Sequence, residues 1–103
     1  MNEADLLHLP QGDVRLLQAP AAIEMLESRE PARVAYLGPD GLPRIATMQF
    51  HWTGDELVVT SIASLPKVRA IRARPAVQVT IDTFAIEPGI PMRVLSIRGD
   101  ASI

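Results

Sequence analysis

Apolar positions along the chain follow helical spacing in two segments and strand spacing in most of the remainder. Between residues 20 and 31 the helical positions are Ala22, Ile23, Met25 and Leu26. Pro20 suits a first helical turn, and Pro31 disfavours helical geometry at the residue before it. The pattern therefore predicts a short helix here. The preceding residues are expected to form a loosely ordered arm with a short strand at Val14–Leu17.

From Ala32 onward, β-branched and aromatic residues separated by turn residues predict five strands. They lie at Arg33–Gly38, Pro43–Trp52, Leu57–Ile62, Ala76–Asp82 and Met92–Ile103. In the second strand, one face is made of Ala46, Met48, Phe50 and Trp52, and the other of Ile45, Thr47, Gln49 and His51. Short turns of the Pro-Asp-Gly and Gly-Asp types join the first three strands, so neighbouring strands are expected to be antiparallel.

A second helix is predicted between the third and fourth strands. Ser64 is expected to cap it, Pro66 to lie in its first turn and Pro75 to end it. Its apolar stripe consists of Leu65, Val68 and Ile71. A loop containing proline and glycine is expected after the fourth strand, at Thr83–Pro91.

These elements together predict a mainly β fold, with about five to six mostly antiparallel strands and two short α-helices. The strands are expected to close or nearly close into a barrel, because closure removes exposed strand edges. A chain of 103 residues fits one domain, which we place at residues 20–103, behind an N-terminal arm over residues 1–19. The last strand reaches Ile103. Two alternatives follow: the natural chain continues, or a partner covers this edge.

Composition narrows the classes of function. The formal net charge of −2 argues against general nucleic-acid binding, which usually needs a basic excess. The absence of cysteine excludes disulfides and thiolate metal sites, and it fits a reducing cytoplasm. No apolar stretch approaches the roughly 20 residues of a membrane-spanning helix. We therefore expect a cytoplasmic protein with neither nucleic-acid nor membrane partners.

The clearest candidate chemistry lies where the third strand gives way to the second helix. Thr60, Ser61 and Ser64 offer hydroxyl groups, and Lys67 adds a positive charge in the first helical turn. A helix N-terminus presents unpaired N–H groups, which suit a phosphate. Arg44, just after a turn, could reach the same phosphate. The alternatives are an ordinary helix with a solvated basic face and a surface arginine beside a hairpin.

The other residues that commonly act in catalysis or metal binding do not form a recognisable site in this sequence. The two histidines, His8 and His51, lack the neighbours of a metal site, and we expect structural or surface roles for both. No nucleophile elbow, P-loop or dinucleotide-binding glycine motif occurs. We therefore assign no catalytic acid or base and no metal.

The order of strand, Asp-Gly turn, strand, Gly-Asp hairpin, strand and Lys-Val-Arg helix runs through Ala32–Leu37, Pro39–Arg44, Phe50–Leu57 and Lys67–Pro75. This order resembles the pyridoxamine 5′-phosphate oxidase-like family of FMN-binding split-barrel proteins, which includes F420-dependent reductases. The resemblance implies a split β-barrel, a homodimer with cofactor sites at the subunit interface, and a small-molecule substrate.

The resemblance also implies which residues bind the cofactor. The strand after the Asp-Gly turn would run beside the isoalloxazine ring, which maps onto Arg44, Ile45, Ala46, Thr47 and Met48. The ribityl phosphate would bind Thr60, Ser61, Ser64 and Lys67, and Arg93 would approach the cofactor of the other subunit. The implied function is an FMN-dependent oxidoreductase that transfers hydride.

Three alternatives remain open at this point. The cofactor could be F420 instead of FMN, the barrel could carry a flavin without catalysis, or the pocket could be empty in a structural domain. The sequence departs from the oxidases proper, because Leu65-Pro66 separates Ser64 from Lys67, and Gln49 stands where those enzymes have a lysine.

Overall fold

The computed structural model describes residues 1–83, 89 and 91–103. In this part of the chain there are six strands, β1 (Ala32–Leu37), β2 (Pro43–Met48), β3 (Phe50–Trp52), β4 (Leu57–Val59), β5 (Ala76–Thr83) and β6 (Arg93–Asp100). The helices are α1 (Glu3–Leu7), a 3-10 helix (Val14–Gln18), α2 (Pro20–Leu26) and α3 (Pro66–Ala73). The mainly β class is confirmed, with one α-helix more than predicted.

Two antiparallel sheets make up the strand structure. The larger has the order β2-β1-β5-β6, which places β2 and β6 at its edges, and the smaller is the β3–β4 hairpin. The prediction of one continuous strand over Pro43–Trp52 is wrong, because Met48 pairs with Ala32 in the larger sheet, whereas Phe50 pairs with Val59 in the hairpin. The chain changes sheets at Gln49. The predicted third strand corresponds to β4 and ends at Val59, and the predicted fifth strand corresponds to β6 and ends at Asp100. Both end earlier than predicted.

The predicted face alternation of this segment is confirmed despite the break. Met48 is buried and Ala46, Phe50 and Trp52 are half-buried, whereas the residues of the opposite face are all exposed, namely Ile45, Thr47, Gln49 and His51. One side of the segment therefore packs into the core in both sheets. This shared apolar face is why a single pattern in the sequence spans two separate ladders.

The core lies between the inner face of the larger sheet, helix α2 and the hairpin. Its centre is the pair Ala32 and Ile81, which are register partners on β1 and β5, and both have 0% exposure. Met25 and Leu26 cover this pair from α2. The hairpin packs against the same cluster with Phe50, Trp52, Leu57 and Val59.

The N-terminal residues are more ordered than expected. Asn2 and Asp5 form a reciprocal capping box at the start of α1, and Leu6 is buried against Ala19 and Ala22. The predicted strand at Val14–Leu17 is wrong. The Asp13 carboxylate accepts a hydrogen bond from the Arg15 backbone N–H, which starts a 3-10 helix instead of a strand.

Helix α3 begins one residue later than the predicted cap implies. Leu65 is the N-cap, Pro66 occupies the first turn and no side chain caps the helix, so the prediction of a Ser64 cap is wrong. Because Ser64 lies one residue before the N-cap, it is outside the position from which a side chain bonds the first free N–H groups. The expected stripe is confirmed, with Val68 and Ile71 buried and Leu65 half-buried.

The ends of two elements meet at one edge of the structure. Helix α3 ends at Ala73, and β5 starts at Ala76, directly after Pro75. The Ala101 N–H donates to the Pro75 carbonyl at 2.8 Å, which holds the chain beside that connection after β6. The loop predicted at Thr83–Pro91 falls largely outside the described residues, and β5 extends through Thr83.

We expect Ile81→Ala to lower the free energy of unfolding by about 2–5 kcal/mol, because the change removes buried methylene groups and leaves a cavity. The matched control is Ile62→Ala, the same substitution at a side chain that is 68% exposed, where a change within about 0.5 kcal/mol is expected. Urea unfolding of both variants measures the difference. Equal losses would contradict a core centred on Ile81.

Candidate functional site

The hydroxyl-rich segment lies between the end of β4 and the start of α3. Thr60, Ser61 and Ser64 are exposed there, and Lys67 is half-buried in the first turn of the helix. The chain has no aspartate or glutamate between Leu57 and Pro75. The donor set therefore consists of hydroxyls, one ammonium and uncapped helix N–H groups without a competing carboxylate nearby in sequence. This chemistry fits a phosphate.

Arg44 lies apart from that segment and folds back onto its own turn. Its guanidinium donates to the Asp40 carboxylate at 3.0 Å and to the Leu42 carbonyl at 3.4 Å. It also covers Gly38, where an added Cβ would lie 2.8 Å from the Arg44 Cζ. Gly38 leaves the space that this close approach needs.

The ion pair changes the titration of Asp40. The hydrogen bond from the Arg44 guanidinium lowers the pKa of the Asp40 carboxyl below its ordinary value of 3.8, and the Leu42 backbone N–H lowers it further. In the part of the chain that the structure describes, the hydrogen bonds of Arg44 thus serve its own turn. A phosphate would have to compete with Asp40 for this cation.

The remaining predicted residues of β2 divide between two faces. Ile45 and Thr47 are exposed on the outer face of the larger sheet, whereas Ala46 is half-buried and Met48 is buried on the inner face. A ligand on the outer face could therefore contact the side chains of Ile45 and Thr47. Ala46 and Met48 could offer it only backbone groups.

Arg93 lies at the other edge of the larger sheet. It starts β6, opposite Thr83, and its guanidinium pairs with Glu24 of α2. Three strand spacings separate β6 from β2, which corresponds to about 14 Å. Arg44 also sits at the opposite end of the sheet, paired with Tyr36. One chain therefore does not bring Arg93 and Arg44 to the same point.

Two grooves lie near one end of the larger sheet. The first, about 600 Å³, is lined by Ala35, Tyr36, Leu37, Pro43, Ala76, Val77, Gln78, Arg98, Gly99 and Asp100. The second, about 430 Å³, separates α3 from the β1–β2 turn and is lined by Leu37, Gly38, Pro39, Pro66, Arg69, Ala70, Ala73 and Arg74. Neither groove is lined by Thr60, Ser61, Ser64 or Lys67.

Sequence reasoning did not single out Arg69 and Arg74 as candidate site residues. In the structure Arg74 Nη1 donates to the Gly38 carbonyl at 3.1 Å, and both arginines line the second groove. The spacing of Pro66, Ala70 and Ala73 could have indicated a groove beside this helix. These small residues lie on one helical face and leave a gap that larger side chains would fill.

The two histidines are both exposed and lie at different elements. His8 is exposed at the C-cap of α1, and His51 is exposed in β3. Over residues 1–83, 89 and 91–103, no group of three or more histidine, aspartate or glutamate residues could hold a metal ion. No helix within the same residues is long and apolar enough to cross a bilayer.

No family model matches the chain, and no curated protein matches its sequence. Among solved structures, an F420 reductase is 30% identical to it, with a TM-score of 0.67 over 92% of this chain and 65% of that one. HutZ, the heme storage protein from Vibrio cholerae, is 18% identical, with a TM-score of 0.66 over 81% of this chain and 60% of that one. Both neighbours are split barrels. The chain has the split-barrel fold. It spans about two thirds or less of the length of these neighbours.

We expect Arg44→Ala to raise the pKa of Asp40 toward 3.8, because the largest cause of its lowered pKa is removed. Because the pKa of Asp40 is lower in the folded state, its ionised carboxylate stabilises the fold at pH values above the ordinary pKa. That contribution is lost as the pH falls through the pKa of the folded state. The variant should therefore lose this contribution to stability, and its Asp40 should protonate at a higher pH. NMR titration of the Asp40 carboxyl carbon measures the shift.

The matched control for this titration is Arg15→Ala. It should raise the pKa of Asp13 from about 2, where the Arg15 hydrogen bond holds it, and leave Asp40 unchanged. An Asp40 pKa that is the same in the wild type and in Arg44→Ala would contradict the ion pair at the β1–β2 turn.

Proposed function

We propose that this chain binds a flavin-type cofactor, FMN or its deazaflavin counterpart F420, and acts as an oxidoreductase on a small molecule. The observation that carries the proposal is its 30% identity with an F420 reductase over 92% of the chain. The resemblance of its motifs to FMN-binding split barrels supports the same class of cofactor. When bound, the cofactor supplies hydride transfer, while the protein binds and orients it.

Lys67 and the exposed hydroxyls of Thr60, Ser61 and Ser64 would hold the cofactor phosphate. A half-buried lysine at the start of an uncapped helix supports this role, since its charge adds to the helix N–H groups. The isoalloxazine or deazaflavin ring would lie along β2. Because β2 is an edge strand, backbone groups on its free side are available to the ring.

The proposed working unit is a homodimer with the cofactor at the interface. Arg93 lies at the far edge of the sheet from β2, and we propose that it approaches the cofactor bound by the other copy, where the cofactor would compete with Glu24 for its guanidinium. Ile45 and Val94 share the outer face and are 71% and 57% exposed, which leaves apolar area for a second copy to cover. The cytoplasmic location expected from the sequence stays a prediction.

We expect Ile45→Asp to shift the protein from dimer toward monomer, because it places a charge within the apolar part of the proposed interface. Light scattering coupled to size-exclusion chromatography measures the mass. Leu42→Asp is the control, since Leu42 is 59% exposed in the β1–β2 turn, outside the sheet face. The proposal is contradicted if the wild-type protein has the mass of one chain at a protein concentration ~100-fold above a micromolar dissociation constant for the dimer.

Two other functions remain as alternatives to catalysis. A carrier or sensor would bind the cofactor but would not turn over with any electron donor and acceptor. A structural domain would show no bound chromophore and no stabilisation by FMN or F420. The absorbance spectrum of the purified protein, together with mass spectrometry of released small molecules, identifies the cofactor. Saturation at ~100-fold over Kd should add about 2.7 kcal/mol of stability.

We expect Lys67→Ala to weaken binding of FMN by roughly tenfold and to change binding of riboflavin much less, because riboflavin lacks the phosphate. If the cofactor is F420, Lys67→Ala should likewise weaken binding of F420 more than binding of the F420 chromophore that lacks the phosphate. Isothermal titration calorimetry gives the Kd of each ligand for the wild type and for the variant. Arg72→Ala is the control, because Arg72 is an exposed cation on the same helix. Equal losses for FMN and riboflavin would remove Lys67 from the phosphate site.

A further inference from the structure

None of the residues assigned to the cofactor lines the second groove. It has a volume of about 430 Å³ and lies between α3 and the β1–β2 turn. Helix α3 contributes Pro66, Ala70 and Ala73, and the turn contributes Gly38 and Pro39. Its volume falls in the range of small-molecule pockets, which is roughly 300–1,000 Å³. The groove is therefore large enough for a ligand of its own.

The charged side chains that line this groove are both cations. Arg69 and Arg74 line it, and no aspartate or glutamate does. Arg74 Nη1 donates to the Gly38 carbonyl at 3.1 Å, which fixes its guanidinium beside the groove and leaves its other N–H groups for a ligand. The ion pairs found among the described residues involve four other arginines, Arg15, Arg33, Arg44 and Arg93.

The turn on the other side of the groove is itself beside a cation. Arg44 lies over Gly38, and its charge is compensated by Asp40 at 3.0 Å. Two arginine charges thus remain at the groove after this pair is counted. The rest of its lining is small and apolar, including Pro39, Pro66 and Ala70. Such a surface suits a molecule with an anionic group at one end and a compact apolar body.

We propose that this groove binds a small organic anion, a phosphate monoester or a carboxylate, independently of the cofactor. Arg69 and Arg74 donate hydrogen bonds to the anionic group, and the faces of Pro39 and Ala70 contact the apolar body. Arginine suits this role because its planar fork of N–H groups matches the oxygen atoms of both anions. Lys67, which belongs to the cofactor proposal, does not line this groove, although its neighbour Pro66 does.

Phenyl phosphate and benzoate are the probes that test this proposal, with benzyl alcohol as the neutral comparison. Titration of the full chain, followed by amide NMR shifts, should move the signals of Gly38, Ala70 and Ala73 with either anion and not with benzyl alcohol. The tighter of the two anions identifies the ligand class. The readout needs no flavin, so it is independent of whether the cofactor proposal holds.

We expect Arg69→Gln to weaken binding of the better probe by roughly tenfold, since it removes a charged hydrogen-bond donor from an exposed position in the groove. Arg72→Gln is the matched control. Arg72 is an exposed arginine on the same helix but does not line the groove, and its loss should change the Kd by less than about twofold. Arg74→Lys should also weaken binding while keeping the charge.

Three results would overturn the proposal. The first is the absence of specific shifts at Gly38 and Ala70 with millimolar probe. The second is an equal loss of affinity in Arg69→Gln and Arg72→Gln, which would indicate diffuse charge attraction. The third is displacement of the probe by saturating FMN or F420, which would make the groove part of the cofactor site. Retained probe binding under those conditions supports a separate site.

Discussion

The structure depends on one packing contact, the burial of β1 against β5 at Ala32 and Ile81. Both side chains are fully enclosed, and they are direct neighbours in the register of the larger sheet. Helix α2 and the β3–β4 hairpin both reach this pair, which links the two sheets into one core. Because the inner face is used in this way, the outer face of the larger sheet lies outside this core.

Much of this architecture could be predicted from the order of apolar residues and turns. The alternation from Ala46 to Trp52 identified the buried face correctly, since the period of two residues is a local property of extended chain. The same pattern could not locate the break at Gln49, because the buried face continues unchanged across both sheets. The structure of the N-terminal residues was predicted wrongly for a different reason. Their order comes from local caps at Asn2 and Asp13, which hydrophobic periodicity does not register.

The candidate site was harder to predict than the fold. The segment from Thr60 to Lys67 is contiguous, so its donor chemistry can be read directly from the residues. The second groove is formed by α3 and a turn about thirty residues earlier in the chain, and only tertiary packing brings Arg74 to Gly38. Arg44 was predicted to bind the phosphate because it follows a turn. In the structure it forms an ion pair with Asp40, four residues earlier in the chain.

The short contact between Ala101 and Pro75 has a practical consequence for how the protein is handled. It holds Ala101 beside Pro75, next to Ala76 and Asp100, which line the first groove. A fluorophore attached at Ala101 would therefore lie next to this groove, where it could report on occupancy or obstruct it. A label at Asn2 would instead disturb helix α1, since the amide of Asn2 belongs to its capping box.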